Sequence, residues 1–158
     1  MGTRSLTTFN DEWKNEEIAV VYRQYDGYPK GHGKELFEFL NEMVVVNGIG
    51  FNNPPKVANG MNCLAAQVVS HLKGSEVGGI YLYQSGTRDV GEQYIYTIYF
   101  NEETLMIKMS NTYDENESFD GTIKEFGEWL NKYETKIECE LNTEQSVSDF
   151  IENHLNSN

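Results

Sequence analysis

The sequence predicts an α+β fold, a single domain in which an antiparallel sheet of about five to six strands is covered by helices. Three observations carry the prediction. Runs rich in β-branched and aromatic residues come in neighbouring pairs, and runs with apolar residues at three- and four-residue spacing are inserted between them. Their order does not follow a regular strand–helix–strand alternation. The third observation is size: 158 residues with 39% hydrophobic and 13% aromatic content suffice for one core and are too few for two.

Gly2 to Phe9 and Glu16 to Tyr25 read as strands joined by the polar stretch Asn10 to Asn15, an antiparallel hairpin. The turn-forming run Asp26-Gly27-Tyr28-Pro29-Lys30-Gly31 follows. Leu36, Phe37, Phe39, Leu40 and Met43 then predict a helix from about His32 to Met43. Asn47 to Val57, with Gly48, Gly50 and Pro54-Pro55, reads as a loop. From Asn59 onward, Met61, Leu64, Ala65, Val68, Val69 and Leu72 form the stripe of a core helix that Gly74 stops.

Gly79 to Gln84 and Gln93 to Phe100 are the next strands, flanking the loop Ser85 to Gly91, and Thr104 to Ser110 adds another after the turn Asn101 to Glu103. Beyond the acidic loop Asp114 to Glu117, Ile123, Phe126, Trp129 and Leu130 predict a helix, and Val147, Phe150, Ile151 and Leu155 a final one. Residues 1–110 therefore hold the sheet, two helices and the candidate site, and 111–158 form an acidic helical part.

Net charge is −13, unevenly spread: residues 1–100 hold eleven acids and eight bases, residues 101–158 fourteen acids and four bases. Such a surface argues against binding long nucleic acid, whose affinity comes from cations meeting phosphates. Apolar runs such as Met43 to Val46 are far shorter than the roughly 20 residues a membrane-spanning helix needs, and no signal peptide opens the chain. Cys63 and Cys139 suit neither a disulfide framework nor a metal site, so both read as free thiols of a cytoplasmic protein. Three scattered histidines give no zinc or iron spacing; no metal or cofactor is expected.

The three arginines, Arg4, Arg23 and Arg88, all lie in strands or loops of the first hundred residues. Arginine suits bidentate phosphate or carboxylate binding, and the competing reading is an ion pair with Asp26 or Asp89. The run Tyr22 to Gly33 is the densest polar and aromatic cluster and joins a strand end to a helix start, where backbone N–H groups favour anions. Within it His32 is the candidate general acid or base, with Asp26 to orient it, unless it merely supports the helix start. Tyr25, Tyr28 and Tyr94 can stack on a base. Arg4, Arg23, Tyr25 and His32 are expected to converge on one cleft.

Met1-Gly2-Thr3-Arg4-Ser5-Leu6-Thr7, the run Tyr22 to Gly33, Asn59-Gly60-Met61, Cys63-Leu64-Ala65-Ala66-Gln67 and Thr87-Arg88-Asp89 with the following tyrosines resemble a family of small bacteriophage and prophage proteins over residues 1–100. The resemblance implies a phage accessory protein countering host defence. The expected activity is sequestration of a small nucleotide signal, such as a cyclic dinucleotide or an ADP-ribose derivative. The alternatives are a phosphodiesterase-like enzyme that cleaves such a signal and an acidic protein that inhibits a host DNA-binding protein. A homo-oligomer is compatible with each.

Overall fold

The computed structural model describes residues 2–11, 14, 16–48 and 56–135. Six strands form one sheet in the order β5-β2-β1-β6-β7-β8: β1 (Ser5–Asp11), β2 (Glu16–Arg23), β5 (Ile80–Tyr83), β6 (Tyr94–Asn101), β7 (Thr104–Asn111) and β8 (Ser118–Thr122). A second, two-stranded sheet pairs β3 (Val44–Val46) with β4 (Val57–Asn59). The helices are α1 (Lys34–Leu40), α2 (Gly60–Lys73) and α3, which occupies 123–135 of the described residues.

The fold is α+β, but the main sheet is mixed rather than antiparallel, because β1 runs parallel to β6. The strands on either side of the 84–93 loop do not pair with each other. β5 adds to β2 at one edge, and the chain then crosses the sheet to place β6 beside β1. Four further expectations are corrected. The first helix is shorter than His32 to Met43, because Pro29–Gly33 forms one wide π turn before it. The apolar run from Met43 holds β3, and Val57, assigned to a loop, opens β4. Ser118–Thr122 was not read as a strand at all, yet it pairs antiparallel with β7. The expected last helix, with Cys139 and His154, lies outside the described residues.

Register puts three successive rungs of side chains on the helix-covered face. The innermost, Ala19–Phe9–Ile98–Ile107, is apolar, and with Leu64, Val68 and Phe126 it makes the core. The middle rung, Val21–Thr7–Tyr96–Met109–Phe119, mixes in two hydroxyls. The outer rung, Arg23–Ser5–Tyr94–Asn111, is polar throughout, and it supplies Arg23 to the candidate site.

Candidate functional site

Arg23 ends β2, and strand alternation turns it under the π turn that begins at Pro29. Asp26 adopts a left-handed φ of 55°, which reverses the chain so that its carbonyl receives the His32 N–H at 2.8 Å. The glycines of the run serve this packing. A Cβ on Gly27 would come within 2.8 Å of Ser5 in β1, and one on Gly31 within 3.2 Å of the Tyr28 ring. His32 is thereby pressed into the core edge-on to Tyr96, whose hydroxyl donates to the Gly27 carbonyl at 3.0 Å.

His32 is fully buried, and both ring nitrogens are occupied. An arginine can only donate, so Nδ1 accepts from Arg23 Nη1 at 3.1 Å and Nε2–H donates to Thr7 Oγ1 at 2.6 Å. Burial first, and then the Arg23 charge, hold the His32 pKa well below 6.5, so the ring is neutral. Arg23 also donates through Nε to the Tyr25 carbonyl at 2.7 Å and pairs with Glu35 of α1. The outer side of this ion pair, with Tyr25, Asp26, Lys73 and Glu76, lines a shallow cleft of about 180 Å³ whose far wall is Gly78, Gly79 and Ile80.

The expected convergence is partial. Arg23, Tyr25 and Asp26 meet at the cleft, and His32 lies directly beneath Arg23 but is sealed from it. Arg4 does not join them: it sits one residue before Ser5, the partner of Arg23, so it points to the opposite sheet face, and its guanidinium lies against Gly91. Arg88 is on the loop of that face in a bidentate pair with Glu17, at 2.5 and 3.4 Å. Burial raises the Glu17 pKa, but the bonds from Arg88 and the Gly86 N–H outweigh it and leave the pKa lowered. The amides of the helix start are not free for an anion, since those of residues 31, 32 and 33 are bonded to Tyr28 and Asp26 carbonyls.

Tyr94 is buried at the other end of the polar rung. Its hydroxyl donates to both Glu117 oxygens at 3.1 and 3.2 Å, and Tyr133 of α3 and Asn111 of β7 also donate to that carboxylate. Burial, then the Glu117 charge, push the Tyr94 pKa up to about 12.

Lys73, Glu35 and Glu76 were not read from the sequence as site residues. Glu35 follows His32 by one helical turn, which was the available signal for its meeting Arg23. A cavity of about 700 Å³ between α1 and α2 was equally unforeseen; His71 stacks on Phe39 there at 4.6 Å, beside Cys63. Among the described residues, no group of three His, Cys, Asp or Glu side chains is placed to hold a metal ion, and no helix is long and apolar enough to cross a membrane. Comparison with protein families, curated proteins and solved structures finds no match for this chain.

Proposed function

We propose that this protein acts by capture rather than catalysis, holding one end of a small nucleotide-type ligand in the cleft beside Arg23. The observation that carries the reading is the state of His32. A general acid or base must exchange a proton with a bound ligand, whereas this ring is neutral, fully buried and spent on Thr7 and Arg23. Its work is to aim Arg23.

The cleft suits a ligand with both an anion and hydrogen-bond donors. Arg23 and Lys73 answer a phosphate, Asp26 and Glu76 answer the amino groups of a base, and the half-exposed Tyr25 offers a stacking face. Drug-sized ligands fill roughly 300–1,000 Å³, so a cleft of about 180 Å³ grips only part of such a molecule. The setting is the one implied by the phage-protein resemblance, sequestration of a nucleotide signal used in host defence.

The test is a thermal-shift panel of cyclic dinucleotides and ADP-ribose derivatives. A ligand at a hundred times its Kd should stabilise the fold by about 2.7 kcal/mol. Tyr25→Ala should remove that shift while leaving the unliganded melting temperature nearly unchanged, and Lys73→Ala should remove it with a small fall in melting temperature, because Lys73 Nζ also bonds the Gly78 and Ile80 carbonyls. Ligand recovered after denaturation should be intact; multiple turnovers into product would overturn capture, and no shift across the panel would remove the nucleotide class.

A further inference from the structure

We infer that the β5 edge of the sheet is the contact through which two copies of this chain pair, antiparallel, into a continuous sheet. Among the described residues β5 pairs only with β2. The Gln24 N–H bonds the Gly79 carbonyl at 2.8 Å, which fixes the alternation: Tyr81 and Tyr83 exchange bonds with β2, and the backbone groups of Ile80 and Leu82 face outward. The Ile80 N–H turns back to the Gly78 carbonyl, and the Ile80 carbonyl receives Lys73 Nζ at 3.4 Å. Leu82 thus stands at the centre of the exposed edge.

The side chains around it are apolar and open. Leu82 is 63% exposed, Val77 completely so, and Tyr81 and Tyr83 lie against Tyr22 on the other face with their outer sides in water. Proteins normally blunt a free edge with lysine, proline or an inward charge. The opposite edge obeys that rule, since β8 carries Asp120 and follows Glu117. The β5 strand itself carries no such device, since the whole run Val77 to Thr87 is uncharged, and Lys73 of α2 caps only the Gly78 and Ile80 carbonyls at its first end, leaving Leu82 open.

The occupant follows from charge and symmetry. Two chains of net charge −13 repel, so contact is least opposed along a stretch without carboxylates of its own, and the strand Ile80 to Tyr83 is one. A two-fold axis at Leu82 makes it self-complementary. Leu82 of each copy exchanges both backbone bonds with its counterpart, Ile80 comes opposite Gln84, and Tyr81 opposite Tyr83. A four-residue seam buries less than the roughly 800 Å² per partner of a standard interface, so the dimer is reversible and concentration-dependent.

Sedimentation velocity of the full chain over a wide concentration range should show reversible monomer and dimer. Leu82→Lys, at an exposed position, should raise the dimer dissociation constant at least about tenfold by placing like charges directly opposite, with the melting temperature of the monomer unchanged. In a Cys63→Ser, Cys139→Ser background, Leu82→Cys should cross-link two copies under mild oxidation, because bonded antiparallel partners have Cα atoms about 5.5 Å apart. A monomer at every concentration overturns the inference, as does a dimer indifferent to Leu82→Lys or one that Leu82→Cys does not cross-link. Dimerisation that appears only after deleting residues 136–158 would assign the edge to the chain's own terminus and overturn it too.

Discussion

Two polar clusters sit at opposite ends of the same rung of the sheet, and they solve the same problem with opposite charges. At one end the neutral His32 is locked between Thr7 and the cation Arg23. At the other the Glu117 carboxylate receives the hydroxyls of Tyr94 and Tyr133 and the amide of Asn111. The first fastens the π turn and α1 to the sheet, the second fastens α3. Buried polar groups are tolerated only when bonded, and the two clusters meet that condition with a ring that accepts from one side and donates to the other in one case and a carboxylate that only accepts in the other. The difference matters for function, because the His32 cluster continues outward through Arg23 into an open cleft.

The largest difference should appear on deletion. His32→Ala removes a fully buried ring and leaves Thr7 and one Arg23 donor without a partner, so urea unfolding should report a loss of roughly 3–5 kcal/mol. Glu117→Gln keeps the shape and loses the charge, and since Glu117 is only partly buried the cost should be about 1–2 kcal/mol. Equal losses would mean the clusters are energetically equivalent.

The clusters should also fail on opposite sides of neutrality. An unfolded histidine takes up a proton below pH 6.5 while buried His32 resists it, so its contribution is complete above 6.5 and is lost as pH falls, by about 1.4 kcal/mol per pH unit. Tyr94 behaves in reverse. Its unfolded phenol ionises near 10 and its folded one at about 12, so stability is complete below pH 10 and declines as pH rises through that interval. Tyr133 is raised in the same direction by burial and by its bond to Glu117. Stability curves from chemical denaturation should lose part of their acid limb in His32→Asn, the part beginning near pH 6.5, and part of their alkaline limb in Tyr94→Phe, each without affecting the other.

How much of this was legible depends on sequence distance. The β1–β2 hairpin and α2 with its Gly74 stop are local patterns, and they came through. The parallel β1–β6 pairing joins segments almost ninety positions apart, so no local signal specifies it. β8 is Ser-Phe-Asp-Gly-Thr, with too little alternation to announce a strand, although Thr122 and Glu125 just beyond it form a capping box that marks the start of α3. The Arg23–His32 contact was within reach because both lie in one run. The Glu117 cluster was not, since its donors come from three separate elements. Arg4 was misplaced for a different reason: a hairpin pattern without its register cannot say which face a strand residue takes.

Between the clusters lies Ser5, buried in the middle of the rung with no partner for its hydroxyl among the described residues. If the clusters are independent, Ser5→Ala should be neutral or stabilise the protein by up to about 1 kcal/mol, because an unpaired buried hydroxyl is removed with almost no volume. A clear destabilisation, read by thermal melting, would mean that Ser5 links the two ends.

The smallest effect on stability should come from Glu35→Gln, and it sharpens the comparison most, because Glu35 is where the His32 cluster meets solvent. Its side chain is 35% exposed against 18% for Arg23, so the ion pair is largely a surface one, worth no more than about 0.5 kcal/mol. Arg23 would still be held by the Tyr25 carbonyl and His32 Nδ1, so the fold should be indifferent. Ligand binding should not be. In the free protein Glu35 competes for the same Arg23 Nη1 that a phosphate would take, so neutralising it should tighten an anionic ligand several-fold, measured calorimetrically. Tighter binding with an unchanged melting temperature separates the cleft from its foundation. Weaker binding would mean that Glu35 contacts the ligand's own donors, and a large fall in melting temperature would mean that the ion pair, rather than His32, holds Arg23 in place.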